Sequence, residues 1–282
     1  MFLRCHVPSF AWLLLTLLGL GGCDTSGYYR ANGQWHFGDA VFKPEDPSTF
    51  KALDKRFARD AKRGYFLGGS VAGSDGASFA VVSENEARDK GSVYYCDTYR
   101  KGQEYWSIRH LRITRIEGAD AASYTAIGKG YARDARRVYF EGRAFDVRVV
   151  ASFEPLDGDF GRDSQRGYHA RTEIAGSHGP SFEIIDANDV AYARDRSRGY
   201  YAQDAVDGER APIVRTLRTE NPAALRVLGR GYAADAQQVW YRGRPVPGAD
   251  AATFASDTSY QGSADATDRS GGWQQGRHVA LR

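Results

Sequence analysis

The 282-residue sequence has almost no excess of charge of either sign. Its 38 Lys and Arg residues face 35 Asp and Glu residues, which leaves a formal net charge of +3. A general binder of nucleic acid or of another polyanion shows a strong basic excess or a basic stripe, whereas here the two signs are interspersed along the chain. The charge composition therefore predicts no nucleic-acid partner.

The sequence also lacks the residue spacings that build common catalytic and metal sites. Its histidines show no His-x-x-x-His pairing, and its cysteines show no Cys-x-x-Cys pairing. No Gly-x-Ser-x-Gly elbow, phosphate-binding glycine loop or dinucleotide fingerprint is present. We therefore expect no catalytic residue, no metal and no cofactor.

No apolar run reaches the roughly 20 residues of a membrane-spanning helix. The run from Phe10 to Leu20 has 11 residues and follows Arg4, which is typical of a signal-peptide core. It ends in Leu20-Gly21-Gly22-Cys23, which resembles the lipobox of bacterial lipoprotein precursors. That resemblance implies a signal peptide over residues 1–22, lipidation of Cys23, and a short tether over residues 23–27.

Lipidation of Cys23 would anchor the mature chain to a membrane of the cell envelope, facing the periplasm, because each buried methylene contributes ~0.8 kcal/mol. Asp24 resembles the inner-membrane retention signal of enteric bacteria, so it slightly favours that membrane. With Cys5 in the leader and Cys23 lipidated, Cys96 remains as the single thiol and cannot form an intramolecular disulfide. Because it follows a Val-Tyr-Tyr run, we expect Cys96 to be a packed strand residue.

Aromatic residues are abundant, with 17 Tyr, 14 Phe and 5 Trp, and they recur in a fixed frame. A Tyr-Ala-Arg-Asp segment is followed, five residues after its aspartate, by an aromatic residue of a second apolar run. The aspartates of the clear copies are Asp60, Asp89, Asp134, Asp163, Asp195 and Asp235. A second marker, Asp-x-x-Ser/Thr-aromatic, lies between copies, and its aromatic residues at 124, 153 and 182 are 29 residues apart.

Each unit has a physical interpretation as strand, turn, strand and further hairpin turn. The repeated aspartate can accept hydrogen bonds from the N–H groups of its own turn, and the second marker resembles a short capped helical turn. Aromatic residues at consecutive strand positions predict that both faces of each small sheet are partly buried. The sequence thus predicts an all-β, elongated or curved tandem array of hairpin or meander units over residues 28–282 with atypical ends. A closed propeller is less favoured, since its blades need four strands and about 40 residues.

Asp89-Lys90-Gly91-Ser92-Val93-Tyr94-Tyr95 resembles the signature of the DKNYW or DKNYY family of bacterial repeat proteins. The resemblance extends from Trp35 to Trp273, although most copies depart from the Lys-Asn pair after the aspartate. It implies the repeat fold and no established biochemical activity. The repeated aspartates leave a calcium site as an alternative to turn capping, but each turn offers one aspartate where calcium needs six to eight oxygens.

The period is broken by an insertion at about residues 97–117, and a second irregular segment covers about residues 204–222. Insertions in repeat arrays map to loops, often on the binding face. Tyr105, Trp106 and Arg109 in the first insertion are therefore the candidate binding residues, and a longer hairpin with a solvated basic face is the alternative. We expect a non-catalytic scaffold or binding module that presents aromatic and arginine side chains to an envelope protein or glycan. An envelope hydrolase using carboxylates of several repeats, or a passive structural spacer, remains an alternative.

Overall fold

The computed structural model describes residues 27–102, 109–186, 191–204, 212–256 and 264–280. Within these ranges the chain forms eight small antiparallel sheets in sequence order, of which the first has three strands and the others have four. Every sheet is a meander, because each strand pairs with the strands next to it in sequence. The all-β array of hairpin units is thus confirmed. No helix in the described ranges is long and apolar enough to cross a bilayer.

Sheet 1 contains β1 (Tyr28–Ala31), β2 (Gln34–Phe37) and β3 (Ala40–Phe42), and sheet 2 contains β4 (Lys51–Ala52), β5 (Phe57–Arg59), β6 (Gly64–Phe66) and β7 (Gly69–Val71). Sheet 3 contains β8 (Ala80–Ser83), β9 (Glu86–Arg88), β10 (Val93–Tyr99) and β11 (His110–Arg115), and sheet 4 contains β12 (Thr125–Gly128), β13 (Tyr131–Arg133), β14 (Val138–Phe140) and β15 (Arg143–Phe145). Sheet 5 contains β16 (Glu154–Pro155), β17 (Phe160–Arg162), β18 (Gly167–His169) and β19 (Thr172–Glu173), and sheet 6 contains β20 (Glu183–Ile184), β21 (Tyr192–Arg194), β22 (Gly199–Gln203) and β23 (Ile213–Leu217). Sheet 7 contains β24 (Arg226–Gly229), β25 (Tyr232–Ala234), β26 (Val239–Tyr241) and β27 (Arg244–Pro245), and sheet 8 contains β28 (Ala255–Ser256), β29 (Ala266–Asp268), β30 (Gly271–Gln274) and β31 (Arg277–Val279).

Short 3-10 turns join several of the sheets, at Gly76–Ser78, Val150–Ser152, Gly179–Ser181 and Pro222–Ala224. They coincide with the second marker of the sequence and with its counterparts, so the marker forms the helical connection between units. A tight turn then joins the third and fourth strands of sheet 4, where Glu141 and Gly142 have φ of 48° and 70°. Positive φ at both central residues is the type I′ pattern that suits hairpins. Four strands therefore fit within the 29-residue period, so the length of the repeat is no argument against a four-stranded unit.

Consecutive side chains of each central strand point to opposite faces, and both faces are buried. In sheet 4, Tyr139 packs toward sheet 3 with Val93, while Tyr131 packs toward sheet 5 with Tyr168. Seven hydrophobic clusters of this kind each join two consecutive sheets. None of these clusters, among the residues described, combines the first sheet with the last. The core is therefore a series of interfaces between neighbours, as a stacked array requires.

Candidate binding surface

The repeated aspartate organises most units through four hydrogen bonds. One carboxylate oxygen of Asp134 accepts the N–H groups of Arg136 at 2.7 Å and Arg137 at 2.8 Å, which closes the turn. The other oxygen accepts the hydroxyl of Tyr139 at 2.6 Å and the N–H of Asp120, in the preceding marker, at 3.0 Å. Burial tends to raise the pKa of Asp134, but these donors outweigh it and lower the pKa below its usual value.

The same four bonds recur at other turns, so the repeated aspartates are structural groups. The recurring acceptors are Asp60, Asp89, Asp163 and Asp195, each bonded to two turn N–H groups, a tyrosine hydroxyl and a marker N–H. Asp235 closes its turn through the N–H groups of Gln237 and Gln238, and Trp240 replaces the tyrosine. Within the described ranges, no three His, Cys, Asp or Glu side chains are grouped to hold a metal ion.

The arginine that precedes most of these aspartates binds the connection to the next sheet. Arg133 donates to the carbonyl of Ala151 at 3.1 Å, and Arg88 donates to the carbonyl of Ala121 at 2.9 Å. In sheet 7 alanine occupies this place, and Arg226, which lies opposite Ala234 on the neighbouring strand, donates to the carbonyl of Ala251 instead. The repeat arginines and the buried repeat aromatics thus hold the array together. Packing and carbonyl groups engage these particular side chains within the array.

A buried polar pair interrupts the aromatic pattern of sheet 3. Glu86 replaces the aromatic residue that begins the central hairpin of other units, and it accepts the hydroxyl of Tyr124 at 2.5 Å. Burial raises the pKa of Glu86, although the hydrogen bonds from Tyr124 and Ser83 oppose this. Cys96 is fully buried nearby, and burial together with the Glu86 charge raises the pKa of its thiol to about 12. The thiol is therefore protonated and shielded at neutral pH, unlike a reactive cysteine.

The first insertion lengthens the hairpin that β10 and β11 form in sheet 3. Strands β10 and β11 pair as far as Tyr99 and His110, whose rings stack 5.3 Å apart. Tyr105 and Trp106 lie outside the described residues, and Arg109 is exposed immediately before β11. The second irregular segment likewise belongs to a lengthened hairpin, because β22 and β23 pair over five residues in sheet 6.

A basic groove of about 240 Å³ lies at the base of the first hairpin. Its lining includes Arg112 of sheet 3, Arg143 of sheet 4 and Arg171 of sheet 5, together with Tyr95 and Glu141. Arg112 is ion-paired with Asp97, its cross-strand neighbour. The sequence did not reveal this groove, because its arginines come from three sheets and their meeting depends on how the sheets stack.

These features define the class of protein as a tandem array of stacked, mainly four-stranded antiparallel sheets. The family model described as the DKNYY family matches residues 28–204, and the chain belongs to the DKNYY family. No curated protein and no solved structure matches the chain. The matched region ends at the first long hairpin strand of sheet 6, and the structure continues the same architecture through sheets 7 and 8.

Proposed function

We propose that the chain is a non-catalytic, lipid-anchored protein of the cell envelope that acts as a scaffold or binding module. Its proposed contact with an envelope protein or glycan is the hairpin β10–β11 and the loop with Tyr105, Trp106 and Arg109. One observation carries this proposal. The strands of this hairpin have seven and six residues, against three in the central strands of sheet 4, whereas the repeated aspartates, tyrosines and arginines are engaged within the array.

The two carboxylates of one groove fit binding better than hydrolysis. Glu183 and Asp195 line one shallow groove. A general acid needs a raised pKa, yet hydrogen bonds from Tyr200 and from turn N–H groups outweigh burial and lower the pKa of Asp195. Glu183 is ion-paired with Arg194 at 2.8 Å. A passive spacer remains the second candidate, since an array in which each sheet packs on the next could hold two envelope layers apart without a ligand.

Photo-crosslinking in intact cells of the native host tests the proposed contact. A crosslinker placed beside the loop should capture one dominant species from the wild-type chain, and joint alanine replacement of Tyr105, Trp106 and Arg109 should abolish that capture. A matched control replaces Lys62, Arg136 and Arg196 by Gln, since these are exposed residues of the aspartate turns. Equal capture by the loop variant and the wild type would contradict the assignment.

The anchor is tested separately by feeding cells an alkyne analogue of palmitate. The proposal expects the label on the wild-type chain and none on Cys23→Ala, which should also leave the membrane fraction. Label on Cys23→Ala, or an unlabelled wild type, would contradict the lipid anchor while leaving the binding module untouched.

A further inference from the structure

A second basic groove, of about 410 Å³, crosses the last three sheets. Four of its lining residues are arginines, and we call it the arginine groove: Arg215 on β23, Arg242 in the turn after β26, Arg244 on β27 and Arg277 on β31. Its other lining residues include Gln203, Gln275 and Tyr241, and no carboxylate is among them. This composition differs from the groove at the first hairpin, which contains Glu141.

Two of the four guanidinium groups are held in place by their surroundings. Arg215 lies over the ring of Tyr201 at 5.9 Å and donates to the carbonyl of Arg242 at 3.0 Å. Arg242 lies over the ring of Tyr241 at 5.5 Å. Contacts with ring faces and carbonyl groups orient a guanidinium without neutralising its charge. These two charges are therefore positioned and remain available to an anion.

The four arginines are also not neutralised within the fold. None of them forms an ion pair with any residue that the structure describes, whereas Arg112, Arg148 and Arg194, which lie elsewhere in the array, pair with Asp97, Glu173 and Glu183. Four like charges in one groove repel each other, so their proximity raises the free energy of the unliganded chain. Negative groups in the groove would remove this repulsion and gain charge-assisted hydrogen bonds.

The spacing of the arginines indicates the size of the ligand. They come from three consecutive sheets, and stacked sheets lie about 10 Å apart, so the charges extend over roughly 20 Å. A single small anion would contact one or two guanidinium groups. An extended polymer with repeated negative groups would contact all of them, and the open groove admits such a chain along its length.

We propose that the arginine groove binds a linear anionic polysaccharide, with carboxylate or phosphate groups of the polymer against the four guanidinium groups. The site is separate from the hairpin β10–β11, so the proposal adds a ligand class and a second surface to the proposed function. The choice of a glycan over a nucleic acid rests on the envelope location proposed above. It is also favoured by the near-balanced charge of the whole chain, which gives little general attraction for nucleic acid.

The test measures binding of the purified chain to polygalacturonate, to dextran phosphate and to neutral dextran by calorimetry. The wild type should bind at least one of the two anionic polymers, with an affinity that falls as salt screens the charges, and should not bind dextran. The variant R242Q/R244Q/R277Q should bind that polymer about tenfold more weakly or worse. The charge-matched control K62Q/R136Q/R196Q, on the aspartate turns, should change the affinity by less than about twofold.

Several outcomes would overturn the proposal. These are equal binding to dextran and the anionic polymers, no binding to either anionic polymer, equal losses in the two triple variants, or tighter binding of a single-stranded oligonucleotide of matched charge. Circular dichroism of each variant verifies that a loss of affinity is not a loss of fold. Alanine replacement of Tyr105, Trp106 and Arg109 should leave binding to the anionic polymer unchanged, so failure of the hairpin site and failure of the arginine groove are distinguishable.

Discussion

The hydroxyl of Tyr124 donates a 2.5 Å hydrogen bond to the buried carboxyl of Glu86, 38 residues earlier in the chain. Several other interfaces have a pair of aromatic rings in these two places, such as Phe160 and Phe182 with ring centroids 5.9 Å apart. Glu86 and Tyr124 therefore form one polar unit that replaces an aromatic contact. Replacing either residue alone would leave the polar group of the other buried without this partner.

Tyr124→Phe should destabilise the chain by about 1–3 kcal/mol, because it removes a donor from a buried carboxyl group. The double variant E86F/Y124F should recover most of this loss, since it rebuilds the pair found between sheets 5 and 6. Urea unfolding of the wild type, both single variants and the double variant gives the coupling free energy. Simple addition of the two single effects would contradict the pairing.

The raised pKa of Glu86 gives the pair a pH dependence of known sign. A carboxyl group whose folded pKa is raised contributes stability below its unfolded pKa, and that contribution is lost as the pH rises through the folded pKa. Glu86→Gln keeps the neutral form at every pH. The free energy of unfolding of Glu86→Gln, relative to the wild type, should therefore increase between about pH 4 and pH 8. A constant or decreasing difference would be inconsistent with a raised pKa.

The turn aspartates should behave in the opposite way. Hydrogen bonds to Asp134 lower its folded pKa, so its contribution is present above the unfolded pKa of about 3.9 and is lost as the pH falls through the folded pKa. Asp134→Asn should destabilise the chain by roughly 2–3 kcal/mol at pH 7, because the amide N–H₂ cannot accept from Asp120 and Tyr139. The difference from the wild type should narrow towards pH 3 in urea unfolding measured across that range.

Asp235 supplies the matched control for that experiment. It closes the same turn but accepts only two N–H groups from the described part of the chain, because Trp240 has no hydroxyl to offer and the N–H of Asn221 donates to the hydroxyl of Thr219 instead. Asp235→Asn should cost about 1 kcal/mol. Equal costs at Asp134 and Asp235 would show that the turn alone, rather than its link to the neighbouring marker and tyrosine, sets the stability.

The turn glycines should be intolerant of a side chain where they touch the preceding sheet. At Gly142, with φ of 70°, a Cβ would overlap the Cβ of Tyr95. Gly33 occupies a similar turn with φ of 78° and has nothing within 4 Å. Gly33→Ala should cost about 1–2 kcal/mol for the backbone alone, and Gly142→Ala about 1–3 kcal/mol more for overpacking. Thermal unfolding of both variants compares them, and similar losses would contradict close contact at Gly142.

Cys96 should be inert in the folded chain, because burial raises its pKa to about 12. In a chain that begins after Cys23 it is the single thiol. A disulfide reagent should therefore label this chain only after urea unfolding. Rapid labelling of the folded chain at pH 7 would contradict the burial of the thiol.

The sequence reveals much of the fold because the repeat signals are local. The aspartate turn, the X-Gly hairpin and the aromatic strand residues each act within a few positions, so their recurrence predicts stacked β units. Strands of two residues, such as β27 (Arg244–Pro245), are too short for any periodicity to show. The bond between Asp120 and Asp134, and the partner of Glu86, depend on packing between units.

The candidate binding residues are less predictable for the same reason. An insertion is visible as a break in the period, and this break makes Tyr105, Trp106 and Arg109 candidates from the sequence alone. The arginine groove leaves no such trace, because Arg215, Arg244 and Arg277 are separated in sequence and are brought together only by three successive sheets. The net charge of the chain does not indicate the groove either, since it sums the charges of the whole surface.

The restriction of each hydrophobic cluster to two consecutive sheets has a consequence for how such chains change in length. Phe153 and Phe182 enter equivalent interfaces one period apart. If these 29 residues were removed, the face of sheet 4 that packs on sheet 5 would meet the face of sheet 6 that packs on sheet 5. If they were duplicated, the second copy of sheet 5 would pack on the first copy in the same way. The number of units is therefore a quantity that recombination within the gene can alter in whole steps. The number of stacked sheets can change in this way while each remaining interface is still formed by two matching faces.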